Sequence, residues 1–153
     1  MKKLFFLLFS MAIFAACTNS SVYNSSYQFK NNNWTQKTRP TFTVNIPDTS
    51  ITYDFTLSIR TTTDYKYNNI WIYLTTKTPF KQVIREPYEI KTCYPNGEWI
   101  GHKTGSIVEH KMVFKRRKLP QIGKYTFSVE QGVIQTALDE VIDITFDVSK
   151  AEK

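Results

Sequence analysis

The sequence predicts an all-β fold, a single antiparallel β-sandwich of jelly-roll-like kind, and three observations carry that expectation. The chain beyond residue 26 is rich in Thr, Tyr, Phe, Ile and Val and poor in Gly and Ala, a composition suited to pleated, half-buried strands. Ile51, Tyr53, Phe55, Leu57 and Ile59 alternate strictly with Thr52, Asp54, Thr56, Ser58 and Arg60, which gives one core face and one wet face. Turn signals separate most of the strand-like segments. Pro95-Asn96-Gly97 is the strongest, because Asn-Gly supplies the positive-φ residues of a tight hairpin. Short strands so punctuated fold as sandwiches or barrels, and neither a long helical period nor an internal repeat competes with that reading.

The elements follow in chain order. Lys2 and Lys3, the apolar stretch Leu4 to Phe14 and the small pair Ala15-Ala16 have the layout of an export signal. The apolar stretch falls short of the about 20 residues needed to cross a hydrocarbon layer of roughly 30 Å, so a cleaved segment fits better than a permanent span. Cys17 follows at once. Phe14-Ala15-Ala16-Cys17 resembles the bacterial lipobox, with Phe14 in place of the usual leucine, and the resemblance implies a diacylglycerol thioether on Cys17, cleavage before it and acylation of the freed amine. The bland alternative is an ordinary signal peptide with an incidental cysteine. The expected organisation is a lipoprotein signal peptide over residues 1 to 16, a lipidated Cys17 with a polar tether through residue 26, and the sandwich over residues 27 to 150.

Phe42, Val44 and Ile46 alternate just before the 51 to 60 strand, and Pro47-Asp48-Thr49-Ser50 is a turn by composition, so the two segments read as a hairpin. Further strands are expected at Ile70 to Thr75, Val83 to Tyr94, Glu98 to Ile100, Ile107 to Phe114, Lys124 to Gln131 and Val141 to Val148. Between the last two, residues 132 to 140 read as a loop or one helical turn crossing between sheets.

Charge and cysteine content narrow the chemistry. The formal charge of +7 drops to about +5 once Lys2 and Lys3 leave with the signal. Export and the lack of basic residues interleaved with aromatic motifs argue against nucleic acid, leaving anionic lipid, lipopolysaccharide or an acidic protein face as partners. With Cys17 lipidated, Cys93 is the sole thiol left. It reads as a small, partly buried residue, and packing rather than a disulfide must stabilise the domain.

The sequence has no His-Glu-x-x-His, Gly-x-Ser-x-Gly, phosphate loop or Cys-x-x-Cys, so neither an enzyme nor a cofactor is expected. His102 and His110 read as ordinary exposed or half-buried side chains rather than metal ligands. Asp139, Glu140, Asp143 and Asp147 form either a solvated outer face or an oxygen-rich calcium site. Lys115-Arg116-Arg117-Lys118 is either a charged loop that keeps a strand end soluble or a contact patch for phosphate groups or an acidic subunit. Trp71 and Tyr73 fall on the face opposite Ile70, Ile72 and Leu74. That face is either a second buried layer or, together with Trp99, a binding surface, for glycan by stacking or for protein by packing.

Three segments carry a resemblance over most of the chain: Tyr67-Asn68-Asn69-Ile70-Trp71-Ile72, Pro95-Asn96-Gly97-Glu98-Trp99-Ile100-Gly101, and the block from Leu119 through Pro120-Gln121-Ile122-Gly123-Lys124-Tyr125-Thr126-Phe127 to Glu130-Gln131. In order and spacing they resemble the GldH family of gliding motility lipoproteins of Bacteroidetes. Where that family commonly continues Glu-Gln with Ala-Met-Arg, this chain has Gly132-Val133-Ile134. The resemblance implies a non-enzymatic structural or interaction component of the gliding and type IX secretion apparatus. It also implies a lipid anchor, with the domain facing the periplasm from the outer membrane because Thr18-Asn19-Ser20-Ser21 lacks the acidic residues that surface lipoproteins of that phylum carry. An envelope carbohydrate-binding sandwich is the alternative from another class, distinguished by exposed coplanar aromatics in a groove.

Overall fold

Apolar residues at every second position build the two layers of the sandwich. The computed structural model describes residues 21 to 152, so the signal peptide and Cys17 lie outside the described residues. In chain order the elements are β1 (Ser21–Gln28), a 3-10 turn (Lys30–Asn32), β2 (Asn33–Thr35), β3 (Thr41–Ile46), β4 (Tyr53–Thr62), β5 (Asn69–Lys77), β6 (Val83–Lys91), β7 (His102–Thr104), β8 (Ile107–Arg117), β9 (Gly123–Gln131), β10 (Ala137–Asp139) and β11 (Val141–Lys150). A five-stranded sheet runs β1-β11-β4-β8-β7, a four-stranded sheet runs β3-β9-β5-β6, and β2 pairs with β10 in a short third sheet. All pairings are antiparallel. The all-β sandwich is therefore as expected, and its repeated crossings between sheets, at β3 to β4, β4 to β5 and β8 to β9, give it jelly-roll-like character.

Two expectations need correction. The 42 to 46 and 51 to 60 segments are strands but not a hairpin: β3 pairs with β9 in one sheet, while β4 sits between β11 and β8 in the other. Residues 21 to 26 are not tether. They belong to β1, an edge strand held to β11 by its ladder and by polar pairs, Ser26 Oγ with Thr145 Oγ1 at 2.6 Å and Asn24 Nδ2 donating to Asp147 at 2.9 Å. The crossing over residues 132 to 140 is the loop rather than the helical turn, but it also contains β10, whose Leu138 is buried opposite Trp34.

The core is aromatic at its centre. Phe42, Phe55, Phe127 and Phe146 come from both sheets, with the Phe127 and Phe146 rings 4.8 Å apart and Phe42 stacked on Phe146 at 5.5 Å. Trp34 closes one end. It is fully buried against Phe29, donates from Nε1 to the Thr38 carbonyl at 3.0 Å, and its own carbonyl accepts from Gln131 at 2.8 Å. A buried indole must find such a partner, since an unpaired polar group there costs about 1–3 kcal/mol.

The two ends of the sandwich differ. Ser21 pairs with Ser149, Lys150 with Tyr53, and Tyr53 with Arg117, so the chain's entry, the end of β11 and the end of β8 share one end. The 47 to 52 and 118 to 122 connections and the 78 to 82 turn lie there as well, because Ile46 pairs with Gly123 and Lys77 with Val83. The other end carries β2, β10 and the 92 to 101 hairpin.

Candidate interaction surfaces

The basic run does not sit in a loop as expected. Lys115, Arg116 and Arg117 end β8, and Lys118 follows. Between the pairs Phe55 with Phe114 and Tyr53 with Arg117, β8 carries one residue more than β4, a bulge in which Arg116 takes φ 51° and donates its backbone N–H to the Asp54 carboxylate at 2.6 Å. A bulge breaks strict alternation and re-aims the residues after it. All four cations are exposed. In a regular strand four consecutive side chains alternate between opposite faces, and the bulge breaks that alternation within the run.

Arg117 and Lys118 reach the mouth of a cavity of about 250 Å³ between the sheets, whose floor is Phe55, Phe127 and Phe146. Tyr88 and Phe114, edge to face at 5.1 Å, form its wall. Burial pushes the Tyr88 hydroxyl above its ordinary range, and the adjacent Glu86 carboxylate adds to that.

The three aromatics do not form one surface. Trp71 is exposed and Tyr73 half-buried on the outward face of β5, so that face is not a second buried layer. The Arg85 guanidinium lies 3.6 Å from the centre of the Tyr73 ring and 3.5 Å from Glu130, so that ring face is already occupied. Trp99 instead turns inward, half-buried against the core with its ring 6.3 Å from that of His110.

His102 is exposed as expected, but His110 is not half-exposed: it faces the interior from β8 and is buried. Its Nδ1 lies 2.6 Å from the Ile100 carbonyl, which can only accept, so Nδ1 carries the proton and Nε2 accepts from the Thr61 hydroxyl at 3.1 Å. Gly101 makes this possible. At φ +136° it lies so close to β8 that a Cβ would stand 2.2 Å from the Glu109 carbonyl oxygen. The conformation of the Pro95 to Gly101 segment thus requires its terminal glycine. The turn before it is the expected tight one, with Gly97 at φ 85°, though it closes on an isolated Cys93 to Trp99 bridge rather than on a strand from 98 to 100. Cys93 is half-buried and free.

Burial lowers the His110 pKa from 6.5, only partly offset by the bond to Ile100. The unfolded chain therefore binds the proton first as pH falls. Stability from neutral His110 is complete above about pH 6.5 and is lost progressively as pH drops from there toward the folded-state value. Thermal melts between pH 7.5 and 5 are expected to show this decline in the parent chain and a shallower one in His110→Gln; identical slopes would remove His110 as the cause.

The four C-terminal carboxylates are dispersed onto separate partners rather than gathered around a cation. Asp139 pairs with Asn33, Glu140 with Thr62, Asp147 with Asn24, and the nearly buried Asp143 takes a bidentate grip from Arg60, whose guanidinium is held more firmly protonated by it. Asp143 thus departs from the solvated reading, while Asp147 is half-exposed on the outer face.

These features define a lipoprotein-type sandwich once the chain is compared with known proteins, because the family model described as GldH lipoprotein matches residues 21–148. The chain belongs to the GldH lipoprotein family, which is a family of lipid-anchored envelope proteins. It is 27% identical to a gliding motility lipoprotein GldH homolog of Christiangramia forsetii, over 98% of this chain and 96% of the relative. It is 22% identical to gliding motility lipoprotein GldH of Flavobacterium johnsoniae, over 95% of each. Among solved structures, a family GH115 4-O-methyl-alpha-glucuronidase matches 89% of this chain and 18% of its own at 12% identity, with a TM-score of 0.48.

Proposed function

We propose that this chain is a non-enzymatic interaction component of the gliding motility and type IX secretion apparatus, anchored through lipid on Cys17 and facing the periplasm from the outer membrane. The observation that carries the reading is the family match over residues 21–148, joined to relatives of nearly equal length whose names place them in gliding motility. Its partners are other envelope proteins of that apparatus. The outward Trp71 and Tyr73 face, with its Arg85 and Glu130 pair, suits protein packing better than glycan stacking, since the guanidinium covers the tyrosine ring and Trp99 is turned away. The test is affinity recovery of the tagged chain from crosslinked envelopes, followed by mass spectrometry. Gliding and secretion components are expected to come with it and to be lost or reduced in Trp71→Ala. Recovery of glycan without those components would favour the carbohydrate-binding reading instead.

A further inference from the structure

We infer that the end of the sandwich where the chain enters is a docking face that lies on an anionic phospholipid surface; the inference rests on Cys17 being the lipid anchor. Covalent reach is the first argument. Ser21 begins β1 at that end, and the four residues from Cys17 to Ser21 span at most about 14 Å fully extended. A small domain is roughly 30 Å across, so no folded partner fits between this end and the leaflet that holds the lipid.

The surface of that end fits such a neighbour. Phe80 at the 78 to 82 turn is 78% exposed, Val83 beside it 61% and Ile122 64%. The 122 to 123 connection packs against the turn, because a Cβ on Gly123 would lie 3.3 Å from Pro79. Exposed cations surround these side chains: the 115 to 118 run, Lys81, Lys124 and Lys150. Among the described residues none of them forms an ion pair. The carboxylates nearby are committed in part, Asp54 to the Arg116 N–H, Asp48 to the Ser50 N–H, and Glu86, which lines the cavity beside Arg117 and Lys118, to the Tyr88 hydroxyl. At the opposite end Ile134 is 97% exposed, but the exposed cations there, Lys30, Lys37, Lys66, Lys91 and Lys103, are interspersed with Asp64, Glu98, Glu109, Asp139 and Glu140. Apolar tips ringed by unpaired cations insert at the headgroup boundary and are drawn there by anionic lipid, over roughly 10 Å at 0.1 M salt.

The processed, lipidated chain is placed in phosphatidylcholine vesicles with and without phosphatidylglycerol. Tryptophan is introduced singly as Phe80→Trp, Ile122→Trp or Ile134→Trp, and quenching by brominated lipid is read against the parent chain. Extra quenching is expected for the first two in the anionic vesicles, reduced at high salt and by exchanging Arg116 and Arg117 for Gln, with none for Ile134→Trp. Equal quenching at both ends, or none at positions 80 and 122, overturns the docking face. Quenching that requires lipopolysaccharide in the vesicle overturns the phospholipid assignment. Flotation with pure phosphatidylcholine reads the anchor alone: a chain that floats there without quenching at 80 and 122 in the anionic vesicles loses only the docking face, whereas one that fails to float loses the anchor and the face together.

Discussion

Phe146→Ala is expected to destabilise the domain by about 3–5 kcal/mol, the cost of a large aromatic removed from a core that cannot fully collapse. Phe146 is 1% exposed and is the ring on which both sheets meet, contacting Phe42 and Phe127 at 5.5 and 4.8 Å and Phe55 at 6.1 Å. No disulfide among the described residues shares the load. A loss of this size is a large fraction of the about 5–15 kcal/mol that holds an ordinary domain together, and it lowers the melting temperature on the order of 10 °C. Ile134→Ala, at an exposed position, is the control and is expected to change stability by no more than about 0.5 kcal/mol. Phe42→Ala combined with Phe146→Ala is expected to cost less than the two separate losses added, because each removes the same stacked contact. Chemical denaturation of the parent, the two single phenylalanine variants, their double variant and Ile134→Ala measures all of this; a loss under about 1 kcal/mol for Phe146→Ala would mean that the aromatic cluster is not the structural centre.

The strands legible in the sequence are those with one apolar and one polar face. Residues 53 to 60, 70 to 75, 107 to 114, 124 to 131 and 141 to 148 all lie within strands, with the expected 51 to 60 strand starting two residues later than its alternation suggests, since alternation there records burial between two sheets. β1 was hidden because Ser21 to Ser26 hold the edge of β11 through hydroxyl and amide pairs, which leave no hydrophobic period. β3 and β4 do not form a hairpin because the chain crosses between the sheets there, and alternation in each segment says nothing of which strand it pairs with. The bulge at Arg116 was illegible because it arises from the register of β8 against β4 and an Asp54 carboxylate 62 residues away. His110 was misjudged for a related reason. Its burial depends on Gly101 pressing the 92 to 101 hairpin onto β8, a contact that spacing alone does not reveal. The cationic end depends on the register that brings Ser21, Lys150, Tyr53 and Arg117 together, which no local pattern records.

The account as a whole depends on lipid at Cys17, and Cys17→Ala carries the largest functional effect expected. A single acyl chain holds a protein only marginally, and stable attachment takes more than one. The cationic end contributes an attraction that salt weakens, so without the lipid it cannot hold the domain at the membrane. The decisive measurement is labelled palmitate incorporation, precursor processing and gliding in cells whose sole copy carries Cys17→Ala. The mutant is expected to remain uncut, take up no label and fail to restore gliding, while the parent chain is cut, takes up label and restores gliding. A mutant that is labelled and cut like the parent, or one that is unlabelled and yet restores full gliding, would contradict the account.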